Sequence, residues 1–285
     1  MFSKRHTGWM LAIVCALSAT SVTAADIKIP DKNLEKVLLK VLRADKITDE
    51  NLLKVSVLHA DGKDIADLTG LEHCSNVLEV RLARNKIKSV EPLGKCLKLQ
   101  SVDLTDNQIS DIKPLAKLVK LQYLKLDEND IESIEIVKGL KALTSLYIDR
   151  NKVSTLKPVA GLPKLQAIYA AENQISDLDP LRKVKWLASL DVSGNKVKDI
   201  RPLTGLTELR WTFLMKNKIE DVGPLVEMAK KDAEGDQRFA PFWRLYLAEN
   251  PLNEASKSKH PAELKKIGVR LDMTYVRKTK KAAAK

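Results

Sequence analysis

An asparagine recurs every 22 residues through the middle of this 285-residue chain. Seven of them keep this register without a gap: Asn85, Asn107, Asn129, Asn151, Asn173, Asn195 and Asn217. Apolar residues hold the same places around nearly every one of them, at −8, −5, −3, +2, +5, +8 and +11 counted from the asparagine. This spacing matches neither the period of a helix nor that of a single strand. It predicts a solenoid whose coils turn these side chains inward, so that stacked coils share one continuous core.

The parts of one coil follow from the same numbering. The apolar residues at −5 and −3 alternate with polar ones, which predicts a short strand, and coils in register would align these strands into one parallel sheet. Proline at +7 lacks an N–H for a strand ladder and predicts a 3-10 or irregular back. Six coils have it: Pro92, Pro114, Pro158, Pro180, Pro202 and Pro224. We interpret the asparagine as structural, because its amide can satisfy buried backbone groups at the bend.

The motif LxxLxLxxNxIxxIxPLxxL, which runs for example from Leu99 to Leu118, resembles the leucine-rich repeat. The 22-residue period and the proline at +7 are similar to those of the bacterial internalin-type subclass. The resemblance covers nearly all of the chain after residue 30. It implies an α/β solenoid, a horseshoe with a parallel concave sheet, a 3-10 or irregular convex side, an N-terminal helical cap and a C-terminal helix–strand cap. It also implies that a partner protein docks on the concave face.

The sequence predicts five segments: a signal peptide at 1–24, an N-terminal helical cap at 26–54, a solenoid of about nine coils at 55–252, a C-terminal cap at 253–274 and a basic, disordered tail at 275–285. The first segment has a basic start, an apolar run too short to span a bilayer comfortably, and small residues before a cleavage site after Ala24 or Ala25. We therefore expect a secreted, periplasmic or cell-surface protein with no transmembrane segment in the mature chain.

One coil is longer than the others. The asparagine expected at position 239 is replaced by Phe239, and the register resumes at Asn250, which corresponds to 11 inserted residues near 229–239. Apolar spacing predicts an α-helix at the back of this coil. The insertion is either a place for lineage-specific function or a plain surface elaboration. In the last coil, the resumed register puts Phe242 in the core position at −8.

The sequence contains no recognised catalytic constellation. Beyond the predicted signal peptide there are only three histidines, and none has the spacing to a cysteine, serine or acid of a known local signature: His59, His73 and His260. There is no glycine-rich phosphate loop and no metal-ligand cluster in the sequence. We predict no enzymatic activity and no cofactor. Four acids fall on the predicted sheet and are interpreted as solvated surface carboxylates: Asp103, Asp127, Asp149 and Asp191.

Cys74 and Cys96 occupy the same core position, +11, in adjacent coils. Adjacent coils are close enough for a disulfide that would staple the solenoid along its axis in an oxidising compartment. Alternatively, both are small buried residues that replace leucine. The sequence leaves the two readings open.

Side chains at −6, −4 and −2 should point away from the core. Only 5% of the chain is aromatic, yet six of its 13 aromatic residues fall in these columns. Exposed aromatic residues together with arginine are typical of protein interfaces, whereas cross-strand aromatic pairs alone would only stabilise the sheet. We predict that a monomer binds an unidentified protein or peptide through apolar side chains, with three basic residues adding charge complementarity: Tyr123, Tyr147, Tyr169, Trp211, Phe213, Met215 and Tyr246, with Arg81, Lys125 and Arg244.

The chain is basic, with a formal net charge of +12, and this supports a second hypothesis. Basic columns at +1 and +6, with the tail, could hold an anionic surface polymer (a glycan, lipid headgroups or nucleic acid), or could simply solubilise the protein: Lys86, Lys152, Lys196, Lys218, Lys113, Lys157 and Arg201. A nucleic acid would add base stacking on Tyr147 and Tyr169. A further alternative is the eukaryotic-type family of 22-residue repeats that regulates phosphatases, which the signal peptide argues against.

Overall fold

The computed structural model describes residues 25–275, so the predicted signal peptide and the tail beyond Tyr275 lie outside the described residues. A single parallel sheet runs the length of the solenoid, with its ten strands in sequence order from β1 to β10. The strands are β1 Val57–His59, β2 Glu79–Arg81, β3 Ser101–Asp103, β4 Tyr123–Lys125, β5 Ser145–Tyr147, β6 Ala167–Tyr169, β7 Ser189–Asp191, β8 Trp211–Phe213, β9 Arg244–Tyr246 and β10 Arg270–Asp272.

Strand register repeats the register of the sequence. Val102 pairs with Leu124, 22 residues further on, and its neighbours Ser101 and Asp103 pair with Tyr123 and Lys125. In these strands the central residue is buried and the two flanking residues are partly exposed. The residue at −5 therefore enters the core, and those at −6 and −4 stand on the open face of the sheet.

The back of the solenoid is built from short 3-10 helices. In five coils the proline at +7 occupies one of the first two helical positions, where its missing N–H costs no hydrogen bond. Within residues 25–275 the 3-10 helices are Leu71–His73, Glu91–Lys95, Lys113–Lys117, Glu135–Gly139, Lys157–Val159, Asp179–Lys183, Arg201–Gly205 and Ala240–Phe242. The predicted fold class, a leucine-rich solenoid with a parallel sheet and a 3-10 back, is confirmed.

Each asparagine joins two coils, as Asn129 shows. Its Nδ2 donates to the carbonyl oxygens of Leu126 and Asp127 in its own coil, both at 3.1 Å, and to that of Leu104 in the preceding coil at 3.0 Å. Its Oδ1 accepts the N–H of Ile109, also in the preceding coil, at 3.0 Å. The side chain is only 9% exposed, so these contacts replace water at the bend.

The N-terminal end is covered by α1 Lys32–Leu42 and α2 Asp49–Leu52. Asp31 caps α1 by accepting the N–H groups of Asn33 and Leu34, and its other carboxylate oxygen accepts those of Ala66 and Asp67 in the first coil. Burial raises the pKa of Asp31, but these four donors outweigh it and hold the pKa below its usual value. One carboxylate thus fixes both the helix start and its attachment to the solenoid.

The C-terminal end is covered by α4 Glu254–Ile267, which is followed by β10. Leu264, on the inner side of α4, is fully buried. The helix ends at Gly268, whose φ of 102° is in the left-handed region that favours glycine. Within the part of the chain that the structure describes, no helix has the length and apolar composition needed to cross a bilayer.

The insertion forms α3 Gly223–Glu234, which packs against α4. Asp232, on its last turn, is 9% exposed and accepts the N–H groups of Arg238, Phe239 and Ala240, so it closes the loop behind the helix. The predicted core position of Phe242 is wrong: its side chain is 62% exposed. The loop turns the chain so that the next residue, Trp243, enters the core instead.

Candidate functional site

Three tyrosine rings are in contact along the open face of the sheet: Tyr147 and Tyr169 are stacked, and the ring of Tyr123 is tilted by 43° to that of Tyr147. The ring centroids of Tyr123 and Tyr147 are 5.2 Å apart. Those of Tyr147 and Tyr169 are 4.8 Å apart, with ring planes within 3° of parallel. Tyr147 and Tyr169 are one repeat apart and are direct neighbours in the parallel sheet, whereas Tyr123 lies diagonally to Tyr147 because its direct neighbour is Ser145. We call these three residues the tyrosine stack.

A second aromatic group lies nearer the C-terminal end. Phe213 and Tyr246 stack with centroids 4.5 Å apart, and the guanidinium of Arg244 lies 4.2 Å above the ring of Trp211. Tyr275 meets Tyr246 edge to face at 5.4 Å. We call these five residues the C-terminal aromatic group.

Tyr275 was missed by sequence reasoning, which assigned it to the tail. Its N–H donates to the carboxylate of Asp272 at 2.8 Å, and this turn after β10 brings its ring back over the sheet. The only sequence signal was an aspartate placed to cap a turn just before the basic residues.

Asp191 separates the two aromatic groups. The strand register places it between Tyr169 and Phe213. Its side chain is 2% exposed, and it accepts the N–H of Ser193 at 2.9 Å. The face is therefore two apolar patches divided by a buried acid rather than one uninterrupted stripe.

The stacked rings present their edges to solvent. Tyr147 has the parallel ring of Tyr169 on one side, and on the other the tilted ring of Tyr123 and the ammonium of Lys125, 5.8 Å from the ring centroid, so both of its faces have a neighbour. A nucleobase needs a free ring face, and base stacking on Tyr147 therefore does not fit this geometry. Burial, and next the proximity of Tyr147, raise the pKa of Tyr123 to about 12, so its hydroxyl is a protonated donor at neutral pH.

The N-terminal end of the face is a charged, open cleft of about 470 Å³. Arg81 contacts Asp61 at 2.9 Å and Lys125 contacts Asp127 at 3.7 Å, so both predicted basic contacts are already paired with acids. Arg150 pairs with Glu128, while its Nε is buried without a hydrogen-bond partner among residues 25–275. The cleft offers both charges to a partner, in contrast to the apolar surface further along.

Three of the four acids on the sheet, Asp127, Asp149 and Asp191, are buried, which corrects their interpretation as solvated carboxylates, whereas Asp103 is partly exposed. Asp127 and Asp149 are 8% and 3% exposed. Asp127 accepts the N–H of Asp149 at 2.8 Å, and Asp149 accepts that of Ala171 at 2.8 Å. The carbonyl at −3, which would continue the ladder, accepts from asparagine side chains, as that of Leu126 does from Asn129 and Asn151, so the N–H at −2 takes a carboxylate instead. Burial, and next the charge of Asp149, raise the pKa of Asp127 to about 7.

Met215 does not lie on the open face, which corrects its assignment to the binding site. Its side chain is 1% exposed. Its Sδ lies 3.5 Å from the Oγ of Ser193, at the same position of the preceding coil, so a neighbouring side chain covers it; the residue after it, Lys216, has a φ of 54°. Left-handed residues precede the asparagine in the other regular coils as well: Arg84, Asp106, Glu128, Arg150, Glu172 and Gly194.

Both cysteines are buried free thiols in the structure. The thiol of Cys96 donates to the carbonyl oxygen of Leu71 at 3.2 Å. Burial raises the pKa of each thiol to about 12. The structure thus contains the second of the two arrangements that the sequence left open, and the disulfide stays a prediction.

The basic columns at +1 and +6 are partly neutralised. Lys86 pairs with Asp64 at 2.9 Å and Lys152 with Asp130 at 2.7 Å. Arg201 pairs with the neighbouring Asp199. The acids interleaved with these columns reduce the positive potential that a polyanion would meet there.

The parallel sheet, the 3-10 back and the asparagine bends define a leucine-rich repeat solenoid. Residues 75–117 and 163–205 match the family model for leucine-rich repeats in two copies. No curated protein matches the chain.

Solved structures show the same fold. The chain is similar to internalin C2 from Listeria monocytogenes, with a TM-score of 0.59 and 21% identity over 86% of this chain and 94% of that one. It is also similar to a leucine-rich repeat protein from Leptospira interrogans, with a TM-score of 0.68 and 22% identity over 79% of this chain and 62% of that one. In the functional domain of InlJ from Listeria monocytogenes, which includes a cysteine ladder, the corresponding values are 0.50, 19%, 81% and 59%. The fold is of the internalin type.

Proposed function

We propose that this chain is a non-enzymatic interaction module, secreted or held at the cell surface, that binds a protein or peptide on the open face of its sheet. The observation that carries the proposal is the pair of aromatic groups on this face, one of them with Arg244 over Trp211. Tyrosine, tryptophan and arginine dominate the residues that contribute most to protein interfaces. The predicted export signal supports the location.

The two aromatic groups contribute different contacts. The tyrosine stack offers ring edges and hydroxyl donors, which suit backbone carbonyls or acidic side chains of a partner. In the C-terminal aromatic group, Trp211 is 37% exposed and supplies the larger apolar surface. From β4 to β9 the face spans about 24 Å at roughly 4.8 Å per strand, enough for an extended peptide or one side of a small domain.

Affinity capture from surface and secreted proteins tests the proposal. The double variant Tyr147→Ala/Phe213→Ala removes one anchor from each aromatic group. Trp186→Ala removes an exposed aromatic side chain that lies away from the open face and is the matched control. We expect the double variant to bind its specific partner at least 100-fold more weakly and the control to bind within about twofold of the wild type.

A chain ending at Tyr275 completes this experiment. If the aromatic double variant binds as the wild type does, while truncation after Tyr275 abolishes retention, the binding face is wrongly assigned. The protein would then be retained by the charge of its tail, and binding would fall steeply with salt concentration. Circular dichroism of each variant confirms that the solenoid is intact.

A further inference from the structure

We propose that the edge of the solenoid at the N-terminal ends of the strands docks onto the surface of an anionic phospholipid bilayer. This edge comprises the end of the 3-10 helix and the first residues after it in five successive coils: 93–98, 115–120, 137–142, 159–164 and 181–186. We call it the lysine ridge. It shares no residue with the two aromatic groups, so the inference does not depend on the proposed partner-binding face.

The ridge carries charge of one sign. Its 30 positions contain ten basic residues and no aspartate or glutamate, although about four acids would be expected from the 37 in the 285-residue chain. The basic residues are Lys95, Lys98, Lys117, Lys120, Lys138, Lys141, Lys164, Arg182, Lys183 and Lys185. Because the coils stack in register, these side chains form a continuous strip about 19 Å long, at roughly 4.8 Å per coil.

This charge is largely uncompensated. Lys138 pairs with Glu135 and Arg182 with Asp179. The other eight basic residues of the ridge are exposed and form no ion pair within the part of the chain that the structure describes. The columns at +1 and +6 differ, since three of their basic residues are neutralised by neighbouring acids. The ridge is therefore the stronger candidate for an anionic surface.

Apolar side chains project from the same ridge. Leu97 and Val119, at the same position of adjacent coils, are 53% and 57% exposed, and Trp186 is 60% exposed. A soluble, hydrated polyanion would leave these side chains in water. At a bilayer surface, by contrast, lysines reach the anionic headgroups while leucine, valine and tryptophan enter the boundary with the acyl chains. The combination favours a bilayer over a free anionic polymer.

Vesicle co-sedimentation of the full chain tests this assignment. The vesicles contain phosphatidylglycerol and phosphatidylcholine in equal parts, or phosphatidylcholine alone. The ridge variant Lys95→Glu/Lys117→Glu/Lys141→Glu is compared with Lys113→Glu/Lys196→Glu/Lys218→Glu, which makes the same change in net charge at exposed lysines outside the ridge. All proteins share residues 1–24 and the tail, so these segments contribute equally.

The apolar contribution has its own pair of variants. Leu97→Ser/Val119→Ser removes two apolar side chains from the ridge, and Val41→Ser/Val57→Ser removes two that are 42% and 43% exposed near the N-terminal end. Tryptophan fluorescence follows insertion directly. We expect a blue shift with anionic vesicles that is absent from Trp186→Phe.

We expect the wild type to bind the anionic vesicles and not the neutral ones. Each ridge lysine should contribute about fivefold, so the ridge triple variant should bind at least 100-fold more weakly and its control less than tenfold more weakly. The ridge serine double variant should lose at least tenfold, while its control and Tyr147→Ala/Phe213→Ala stay within about twofold of the wild type.

Three results would overturn the proposal. Equal losses in the two triple variants would show that diffuse net charge, not the ridge, holds the protein. Unchanged binding of Leu97→Ser/Val119→Ser would show capture by charge alone, as for any polyanion. Loss of vesicle binding in Tyr147→Ala/Phe213→Ala would place the bilayer contact on the open face.

Discussion

Single side chains accept hydrogen bonds from the backbone N–H groups that strand pairing leaves without an acceptor. Backbone hydrogen bonds between coils continue beyond the three-residue strands, for example from the N–H of Leu126 to the carbonyl of Tyr147. The carbonyl at −3 accepts from asparagine side chains, however, so the buried N–H at −2 needs another acceptor. The acids on the sheet supply it, as Asp127 does for the N–H of Asp149. The same burial that makes these hydrogen bonds effective disfavours the ionised form of the carboxyl.

Asp127→Asn should stabilise the protein at high pH. The folded-state pKa of about 7 is above the ordinary value of 3.8, so the carboxyl is harder to ionise in the folded protein than in the unfolded chain. The resulting loss of stability is absent below pH 4, grows from pH 4 to 7 and stays at its full value above pH 7. Asparagine keeps an oxygen that can accept the N–H of Asp149. We expect a gain in unfolding free energy on the order of 2–4 kcal/mol at pH 8 and little difference at pH 4, measured by urea titration.

Asp130→Asn is the control for this experiment, because it removes an exposed carboxylate from the same coil. Its effect should stay within about 1 kcal/mol at both pH values. If Asp127→Asn and wild type show the same dependence of stability on pH, the carboxyl of Asp127 titrates normally and is not buried as described.

At the scale of the element, the coil is the unit of folding, and the asparagine bend joins one coil to the next. Asn151 donates to the carbonyl oxygens of Leu126, Ile148 and Asp149 and accepts the N–H of Ile131. Two of these four partners belong to the preceding coil. A coil therefore cannot open without breaking hydrogen bonds in its neighbour, which makes neighbouring coils cooperative.

Asn151→Ala should destabilise the protein by about 3–5 kcal/mol. The substitution leaves buried N–H and carbonyl groups without partners in two coils, and each unsatisfied group costs about 1–3 kcal/mol before local relaxation. Urea unfolding measures the loss. Asn76→Ala, at a position where the side chain is only partly buried and bonds one backbone carbonyl and the exposed ammonium of Lys98, should cost no more than about 1 kcal/mol. Equal losses in the two variants would contradict a special role for the bend.

At the scale of the whole molecule, one apolar core runs from Ile29 to Val269 without interruption. The end helices α1 and α4 cover cross-sections that would otherwise be exposed, and β10 extends the sheet beyond the last coil. Cys74 and Cys96 lie within this core, 1% and 0% exposed. Their thiols become accessible only when the solenoid opens, so they report on its integrity.

Thiol labelling with DTNB should therefore follow unfolding. In a Cys15→Ser variant, which leaves only these two cysteines, we expect no labelling of the native protein and two thiols in denaturant, since burial and a pKa of about 12 suppress the thiolate. No thiols in denaturant would support the disulfide. Rapid labelling of the native protein would contradict the buried placement of both residues.

The sequence by itself determined the architecture. A period of 22 residues, with apolar residues at nearly the same positions in every repeat, predicts a solenoid of stacked coils. It placed the strands, the bends and the exposed columns that hold Tyr147, Tyr169 and Phe213. It also located the insertion and both end helices, because their apolar spacing departs from that of the coils. What a repeat specifies is which residues of successive coils become neighbours.

Only the tertiary structure decided which side chains near the ends of the strands are buried and which are exposed. Alternation predicted an exposed Met215, yet its side chain is 1% exposed because it packs against Ser193 in the same column of the preceding coil. Because of the loop after α3, Trp243 rather than Phe242 is buried in the core. Because of the turn after β10, the ring of Tyr275 contacts that of Tyr246 on the sheet. Periodicity describes the regular part of a coil, whereas these positions depend on backbone dihedrals and on contacts between residues that no local pattern relates.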